Sequence, residues 1–261
     1  MADAPSDPAG DRALARRALA LLDLTDLNDQ CNETAVMQLC AKAQGGPVTA
    51  AAVCVWPQFV NLARRQLDGS EVAVATVVNF PVGGTNVARI YDDTREAMDD
   101  GAGEIDLVLP YKAFLEGDED IARDMIQEIR AACEGVLLKV ILETGAFPDQ
   151  NAIRRASDLA IAGGADFIKT STGKIAVSAT PEAARTMLEA IKASDRPVGL
   201  KPSGGIRTLA DARLYLGLAD EMMGPGWATP RTFRFGASGL HGALTDVLSG
   251  EAARDPGEGA Y

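Results

Sequence analysis

Short apolar, β-rich runs alternate with helix-like stretches eight times along this 261-residue chain. That alternation leaves few folds open. The strand-like runs cover residues 22–27, 51–56, 71–80, 104–110, 135–143, 166–171, 198–202 and 234–237. The helical patterns cover 33–44, 59–67, 87–100, 119–133, 152–161, 181–193, 208–217 and 239–248. Strands separated by helices imply a parallel sheet. Eight such units in a chain of this length predict one (β/α)8 barrel, whose usual size is about 250 residues. The rival is an open doubly wound sheet, but no G-x-G-x-x-G follows the first strand. Start signals support the register: Thr180-Pro181 places an N-cap before proline at the first helical position, and Thr208 with Asp211 resembles a capping box. The barrel is expected over residues 13–249, between flexible segments 1–12 and 250–261.

In such a barrel the active site lies at the C-terminal ends of the strands. Polar residues collect there: Asp23 and Thr25 in strand one, Cys54 in strand two, Asp106 in strand four, Lys139 and Glu143 in strand five. Strand six carries Lys169 in Asp166-Phe-Ile-Lys-Thr-Ser-Thr-Gly-Lys174, and strand seven Lys201 in Val198-Gly-Leu-Lys-Pro-Ser-Gly-Gly-Ile-Arg207. Only seven lysines stand against eighteen arginines, yet three lie inside apolar strand patterns. Burying an unpaired ammonium is costly unless its pKa falls and it sheds the proton. A neutral amine is a nucleophile toward carbonyls, so Schiff-base chemistry is the leading reading. Strand parity directs Lys169 and Lys201 into one cavity from adjacent strands. Mutual repulsion and desolvation then lower both pKa values, leaving one lysine cationic and the other a free amine. A buried ion network with Asp23, Asp106 or Glu143 is the structural alternative, and for Lys139 such pairing is the expected main role.

Glycine-rich segments follow strands six to eight: Ser171-Thr-Gly173, Ser203-Gly-Gly-Ile-Arg207 and Gly236-Ala-Ser-Gly239. Glycine lets backbone N–H groups approach an anion closely, and Lys174 and Arg207 add charge. A phosphate site is predicted there. It must be local, because a net charge of −12 and a pI near 4.6 argue against nucleic-acid or anionic-membrane surfaces. The single histidine, His241, excludes multi-histidine metal sites and is read as structural. Four scattered cysteines without a C-x-x-C pair are expected to be reduced and packed. Residues 1–10 lack the apolar run of a signal peptide and no stretch reaches membrane-spanning length, so a cytoplasmic protein is expected.

At these residues the chain resembles the deoxyribose-phosphate aldolase family. The matching motifs are Leu22-Asp-Leu-Thr-Asp-Leu-Asn28, Ala52-Val-Cys-Val-Trp-Pro57, Asn79-Phe-Pro81, Glu104-Ile-Asp-Leu-Val108, Leu137-Leu-Lys-Val-Ile-Leu-Glu-Thr-Gly145, Asp166 to Lys174, Lys201 to Thr208, and Phe235-Gly-Ala-Ser238. They run in family order over roughly residues 15 to 249. The resemblance implies a (β/α)8 barrel that reversibly cleaves 2-deoxy-D-ribose 5-phosphate to acetaldehyde and D-glyceraldehyde 3-phosphate, with no metal or cofactor. It implies Lys169 as the Schiff-base lysine, Lys201 as its neighbouring cation, Asp106 as the proton-handling carboxylate and Lys139 as part of the same cluster. Tyr261 is implied to exchange the proton at the carbon that becomes the acetaldehyde methyl. Substrate contacts are expected from Asp23, Thr25, Cys54, Thr170, Gly173, Lys174, Gly204, Gly205, Arg207, Gly236, Ser238 and Gly239. Gly239 departs from the family, which often has a second serine there; the change keeps a backbone N–H and removes a hydroxyl. A homodimer is the implied assembly. Transaldolase-like carbon transfer and a non-catalytic sugar-phosphate-binding protein are the other readings of the same residues.

Overall fold

A computed structural model of the chain describes residues 7–250. Eight parallel strands form the sheet: β1 (Leu22–Asp26), β2 (Ala52–Val55), β3 (Ala73–Val78), β4 (Glu104–Val108), β5 (Leu137–Ile141), β6 (Phe167–Lys169), β7 (Gly199–Lys201) and β8 (Phe235–Ala237). Their hydrogen-bonded order is β7-β6-β5-β4-β3-β2-β1-β8. The two end strands meet through bridges from Leu200 to Phe233 and from Ser203 to Gly236. Arg234 N donates to Leu200 O and Gly236 N to Pro202 O, both at 3.0 Å. These bonds close the ring, so the barrel prevails over the doubly wound sheet.

Helices wrap the outside: α1 (Pro8–Ala20), α2 (Glu33–Gly45), α3 (Val60–Gln66), α4 (Val87–Asp99), α5 (Tyr111–Leu115), α6 (Glu119–Ala132), α7 (Gln150–Ala162), α8 (Pro181–Ala193), α9 (Leu209–Met223) and α10 (Leu240–Ser249). Side chains cap most starts. Asn32, Asn86, Asp118, Asp149 and Thr180 each accept a backbone N–H from the first turn. Each such cap contributes about 1 kcal/mol. At α9 the box is reciprocal: Thr208 Oγ1 accepts from Asp211 N, and the Asp211 carboxylate accepts from Thr208 N.

Three elements differ from the sequence expectation. Helix α1 occupies part of the segment expected to be flexible, because Asp7 caps it, Pro8 presets its first turn, and Ala15, Ala18 and Leu19 are buried. Its Arg17 binds Asp220 of α9 through two 2.6 Å hydrogen bonds. Helix α5 is a five-residue turn between β4 and α6 whose Tyr111 and Phe114 are buried. Helix α9 continues past Gly217, where the pattern suggested a stop. Leu216, Leu218 and Ala219 are buried there, and the helix ends at Gly224 with φ 98°.

The register sets which side chains share the barrel interior. Asp23 and Thr25, Cys54, Ala75 and Val77, Glu104 and Asp106, Lys139, Phe167 and Lys169, Gly199 and Lys201, and Gly236 fall on one face by strand alternation and register. Lys169 pairs directly with Lys201, and Asp106 with Lys139. Apolar side chains on the opposite face pack under the helices and form the main core. Narrow strands carry bulk unevenly: a Cβ on Gly199 would lie 2.4 Å from Phe167 Cε1. We expect Gly199→Ala to lower stability by about 1–3 kcal/mol through overpacking. Urea unfolding checks this; an unchanged midpoint would mean that the interior yields at this point.

Candidate active site

Among the described residues, four basic side chains and three carboxylates meet in the middle of the barrel. Lys139 Nζ lies 2.6 Å from Glu104, 2.8 Å from Asp106 and 3.6 Å from Asp23. Lys201 Nζ lies 2.6 Å from Asp23 and 2.7 Å from Asp106. Lys169 Nζ touches one carboxylate, Asp106 Oδ2, at 2.9 Å. Arg234 donates to Asp23 and to Glu104, the latter at 2.9 Å. All three lysine side chains and both aspartates are at most 1 % exposed.

At this depth desolvation works against every charge, and the outcome depends on partner number. Burial opposes ionisation of Asp106, yet Lys139, Lys169 and Lys201 together hold its carboxyl well below the usual range. Asp23 is held low in the same way against burial, by Lys201, Arg234 and Lys139. Burial would discharge Lys201, but Asp106 and Asp23 overcome it and raise its pKa. Lys139 is raised against burial by Asp106, Glu104 and Asp23. Lys169 alone is lowered: burial outweighs its single partner Asp106, and Lys201 adds repulsion. The expectation that both Lys169 and Lys201 fall is therefore corrected for Lys201, whose second carboxylate reverses the sign. Lys139 pairs as expected.

Glu143 is not within ion-pair reach of the lysines. It lies two residues past the end of β5, in the left-handed region at φ 63°. Its carboxylate accepts from Thr172 N at 3.1 Å and from the Thr172 hydroxyl, which fixes the loop after β6. Burial raises its pKa against these bonds. Thr170, expected at the substrate, has its hydroxyl turned to structure: it accepts from Ser203 N at 2.9 Å and contacts Ser203 O at 3.3 Å. It thus braces the loop after β7 against β6. Thr25 similarly donates to Asp23 O at 2.8 Å. Cys54 sits buried among Leu27, Ala75 and Val77, and burial pushes its thiol pKa up.

The loops after β6, β7 and β8 converge as glycine permits. Gly173, Gly204 and Gly205 have φ of 76°, 83° and 79°. A Cβ on Gly204 would stand 3.3 Å from Gly173 Cα, and one on Gly236 only 2.2 Å from Ser203 Oγ. Arg207, at the end of the β7 loop, donates its backbone N–H to Asp211 at 2.9 Å. Ser238 and the Gly239 N-cap lead from β8 into α10, whose first turn has no side-chain cap bond. Lys174 reaches the other way: its Nζ donates to Leu27 O at 2.8 Å and lies 5.9 Å from the Trp56 ring centroid. It links the β6 loop to those after β1 and β2. Tyr261 lies outside the described residues.

Two residues of the cluster escaped the sequence reading. Glu104 and Arg234 complete the charge cluster from one inward position deeper than the strand ends; their parity with Asp106 and Gly236 was the available signal. Ser171 and Ser203, which open the glycine-rich segments after β6 and β7, have buried hydroxyls that make no hydrogen bond among the described residues. A buried unsatisfied hydroxyl costs stability unless a ligand or water completes it. Among the described residues no group of histidine, cysteine or carboxylate side chains is arranged to hold a metal ion.

A buried lysine whose pKa is lowered by burial, set beside a carboxylate under glycine-lined loops at the mouth of a closed (β/α)8 barrel, defines a Schiff-base-forming barrel enzyme. The family model described as DeoC/LacD family aldolase matches residues 17–229, and the chain belongs to that family. It is 52% identical over 251 residues to a deoxyribose-phosphate aldolase from Agrobacterium fabrum, covering 95% of this chain and 96% of that one. Its fold superimposes with a TM-score of 0.86 on a Toxoplasma gondii ME49 structure assigned as a deoxyribose-phosphate aldolase, at 25% identity over 93% of this chain and 99% of that one. A tetrameric deoxyribose phosphate aldolase from Aeropyrum pernix shares the fold, with a TM-score of 0.74 at 22% identity over 95% and 99% of the two chains.

Gly236→Ala tests how tightly the loops are set. The added methyl would approach Ser203 Oγ at 2.2 Å and Lys201 Cε at 3.1 Å. We expect aldolase kcat/KM to fall by roughly 10- to 100-fold while the fold persists, since ångström-scale misplacement carries that cost. Unaltered kcat/KM with full helicity would show that this contact is dispensable.

Proposed function

We infer that this chain is a class I aldolase that reversibly cleaves 2-deoxy-D-ribose 5-phosphate to acetaldehyde and D-glyceraldehyde 3-phosphate. One observation carries the assignment of roles: of three buried lysines sharing one carboxylate, only Lys169 has a single anionic partner, so only Lys169 becomes a free amine.

The unprotonated Lys169 Nζ attacks the substrate aldehyde carbon, C1. Asp106, 2.9 Å from that nitrogen, moves protons as the carbinolamine forms and water leaves. The resulting iminium is the electron sink. Removal of the proton from the C3 hydroxyl breaks the C2–C3 bond, whose electrons pass into the iminium to give an enamine. Glyceraldehyde 3-phosphate departs as the C3 aldehyde. Protonation of the enamine at C2, assigned to Tyr261, restores an imine that water hydrolyses to acetaldehyde and free Lys169. Lys201 stays cationic through the cycle, because two carboxylates hold its proton, and it disfavours a proton on Lys169.

We assign the phosphate to the backbone of Gly173, Gly204, Gly205, Gly236 and Gly239, with Ser238 and Arg207 beside it; the Lys174 ammonium, bonded to Leu27 O, adds positive charge from the other side of the mouth. Gly239 supplies only its N–H, which favours weaker phosphate binding and better tolerance of the unphosphorylated sugar. Ser171 and Ser203 are positioned to complete their hydrogen bonds on the sugar. The enzyme is read as a homodimer on family resemblance, and as cytoplasmic from its sequence. Among the described residues no helix is long and apolar enough to cross a membrane; sedimentation velocity tests the dimer.

Borohydride reduction in the presence of acetaldehyde should add a two-carbon group to Lys169, located by peptide mapping. An adduct on another lysine would overturn the nucleophile, and no adduct at neutral pH would overturn the reaction class. Lys201→Leu should move the acid limb of the imine-formation profile to higher pH, because loss of a neighbouring cation favours the protonated form of Lys169. An unmoved limb would remove Lys201 from this role.

A further inference from the structure

The mechanism uses Lys169, Asp106 and Lys201, yet the buried cluster extends deeper. Arg234 enters from just before β8 and bonds both Asp23 and Glu104. Its Nε donates to Pro230 O, and its guanidinium carbon stands 5.8 Å from the Phe167 ring centroid. Glu104 in turn grips Lys139 at 2.6 Å. Arg234 touches no part of the reaction centre. It reaches Lys169 only through shared carboxylates: Arg234 to Asp23, Asp23 to Lys201, Lys201 to Asp106, Asp106 to Lys169.

The count of charges gives this chain of contacts a consequence. Within the cluster four basic side chains, Lys139, Lys169, Lys201 and Arg234, face three carboxylates, Asp23, Glu104 and Asp106. A buried site strongly disfavours an uncompensated charge. Balance is reached when one basic group is neutral. A guanidinium does not discharge in a protein, whereas an amine can. Lys139 has three carboxylates within 3.6 Å and Lys201 two within 2.7 Å, so the lost proton comes from Lys169. The other ionisable groups facing Lys169 are the Cys54 thiol on β2 and Glu143 beyond β5. Burial raises the Cys54 thiol pKa. The Glu143 carboxylate stands outside ion-pair reach of the lysines, with one oxygen accepting from Thr172 N and the other from the Thr172 hydroxyl, so it is not a partner within the cluster.

We propose that Arg234 is a positioning residue that fixes the charge balance of the barrel interior and thereby sets the pH at which Lys169 becomes the free amine. Glu104 is its counterweight. This inference rests on the Schiff-base reading of Lys169. Arg234→Gln leaves three lysines facing three carboxylates, so Lys169 is expected to keep its proton. Glu104→Gln leaves four basic groups facing two carboxylates, so Lys169 is expected to release its proton more readily. The double variant restores an excess of one basic group.

The test is the pH dependence of borohydride-trapped acetaldehyde adduct on Lys169 in the full-length wild type and the three variants. Arg234→Gln should shift the acid limb up by about one pH unit, and Glu104→Gln should shift it down by a similar amount. The double variant should return to within a few tenths of wild type. A purely structural role for Arg234 predicts lower adduct yield with an unmoved midpoint in every variant, and that result would overturn the proposal. Shifts of the same sign in both single variants would also overturn it. Should Arg234→Gln not fold, Glu104→Gln and the double variant carry the test, since their predicted midpoints differ by a similar interval. No adduct in wild type at any pH would instead defeat the Schiff-base reading itself.

Discussion

Asp106 is the anion on which the interior depends. Its two oxygens lie within 3 Å of Lys139, Lys169 and Lys201, which arrive on three other strands. Without that carboxylate the three ammonium groups would repel one another in a medium that barely solvates charge. With it, two lysines are satisfied by further carboxylates and the third is left short. The sharing is unequal: Lys169 is as deeply buried as its neighbours and differs from them in having a single carboxylate partner among the described residues.

The closed parallel barrel makes such sharing possible. Strand register aligns Lys169 with Lys201 and Asp106 with Lys139, so the charges meet across neighbouring strands without long, mobile side chains reaching for one another. Helices cover the outer face, and the inward face is free to carry polar groups at the core's centre. The same architecture brings successive loops side by side. Gly204 approaches Gly173, and Gly236 approaches Ser203, more closely than a side chain would allow, which draws the loops after β6, β7 and β8 together. Thr170, expected among the substrate contacts, and Glu143, weighed as an ion partner of the lysines, bond to Ser203 and Thr172 and hold this mouth in shape.

Much of this was legible in the chain because period and parity are local. The eight strand–helix units, the caps at Thr180 and Thr208, and the inward direction of Lys169, Lys201 and Asp106 all follow from spacing. Helix α1 was not legible, since its buried face is mostly alanine and its exposed face is rich in arginine; it is stabilised by docking, not by a strong apolar stripe. The end of α9 was misplaced because Gly217 reads as a stop, while burial of Leu218 and Ala219 carries the helix onward. Lysine pKa values were legible only in part. Burial follows from pattern, but the sign for Lys201 depends on a second carboxylate at 2.6 Å, and that is a tertiary distance. Glu104 and Arg234 were missed for a related reason: attention to strand ends overlooks the layer beneath them.

The central claim is that three neighbouring buried lysines differ in protonation. Direct observation of their side-chain nitrogens in free enzyme, by heteronuclear NMR across a pH series, tests it without substrate. The account predicts that the Lys169 nitrogen titrates below the ordinary lysine range, while Lys139 and Lys201 remain charged throughout that transition. Three nitrogens that stay protonated together to alkaline pH would contradict it, as would a transition assigned to Lys201 in place of Lys169.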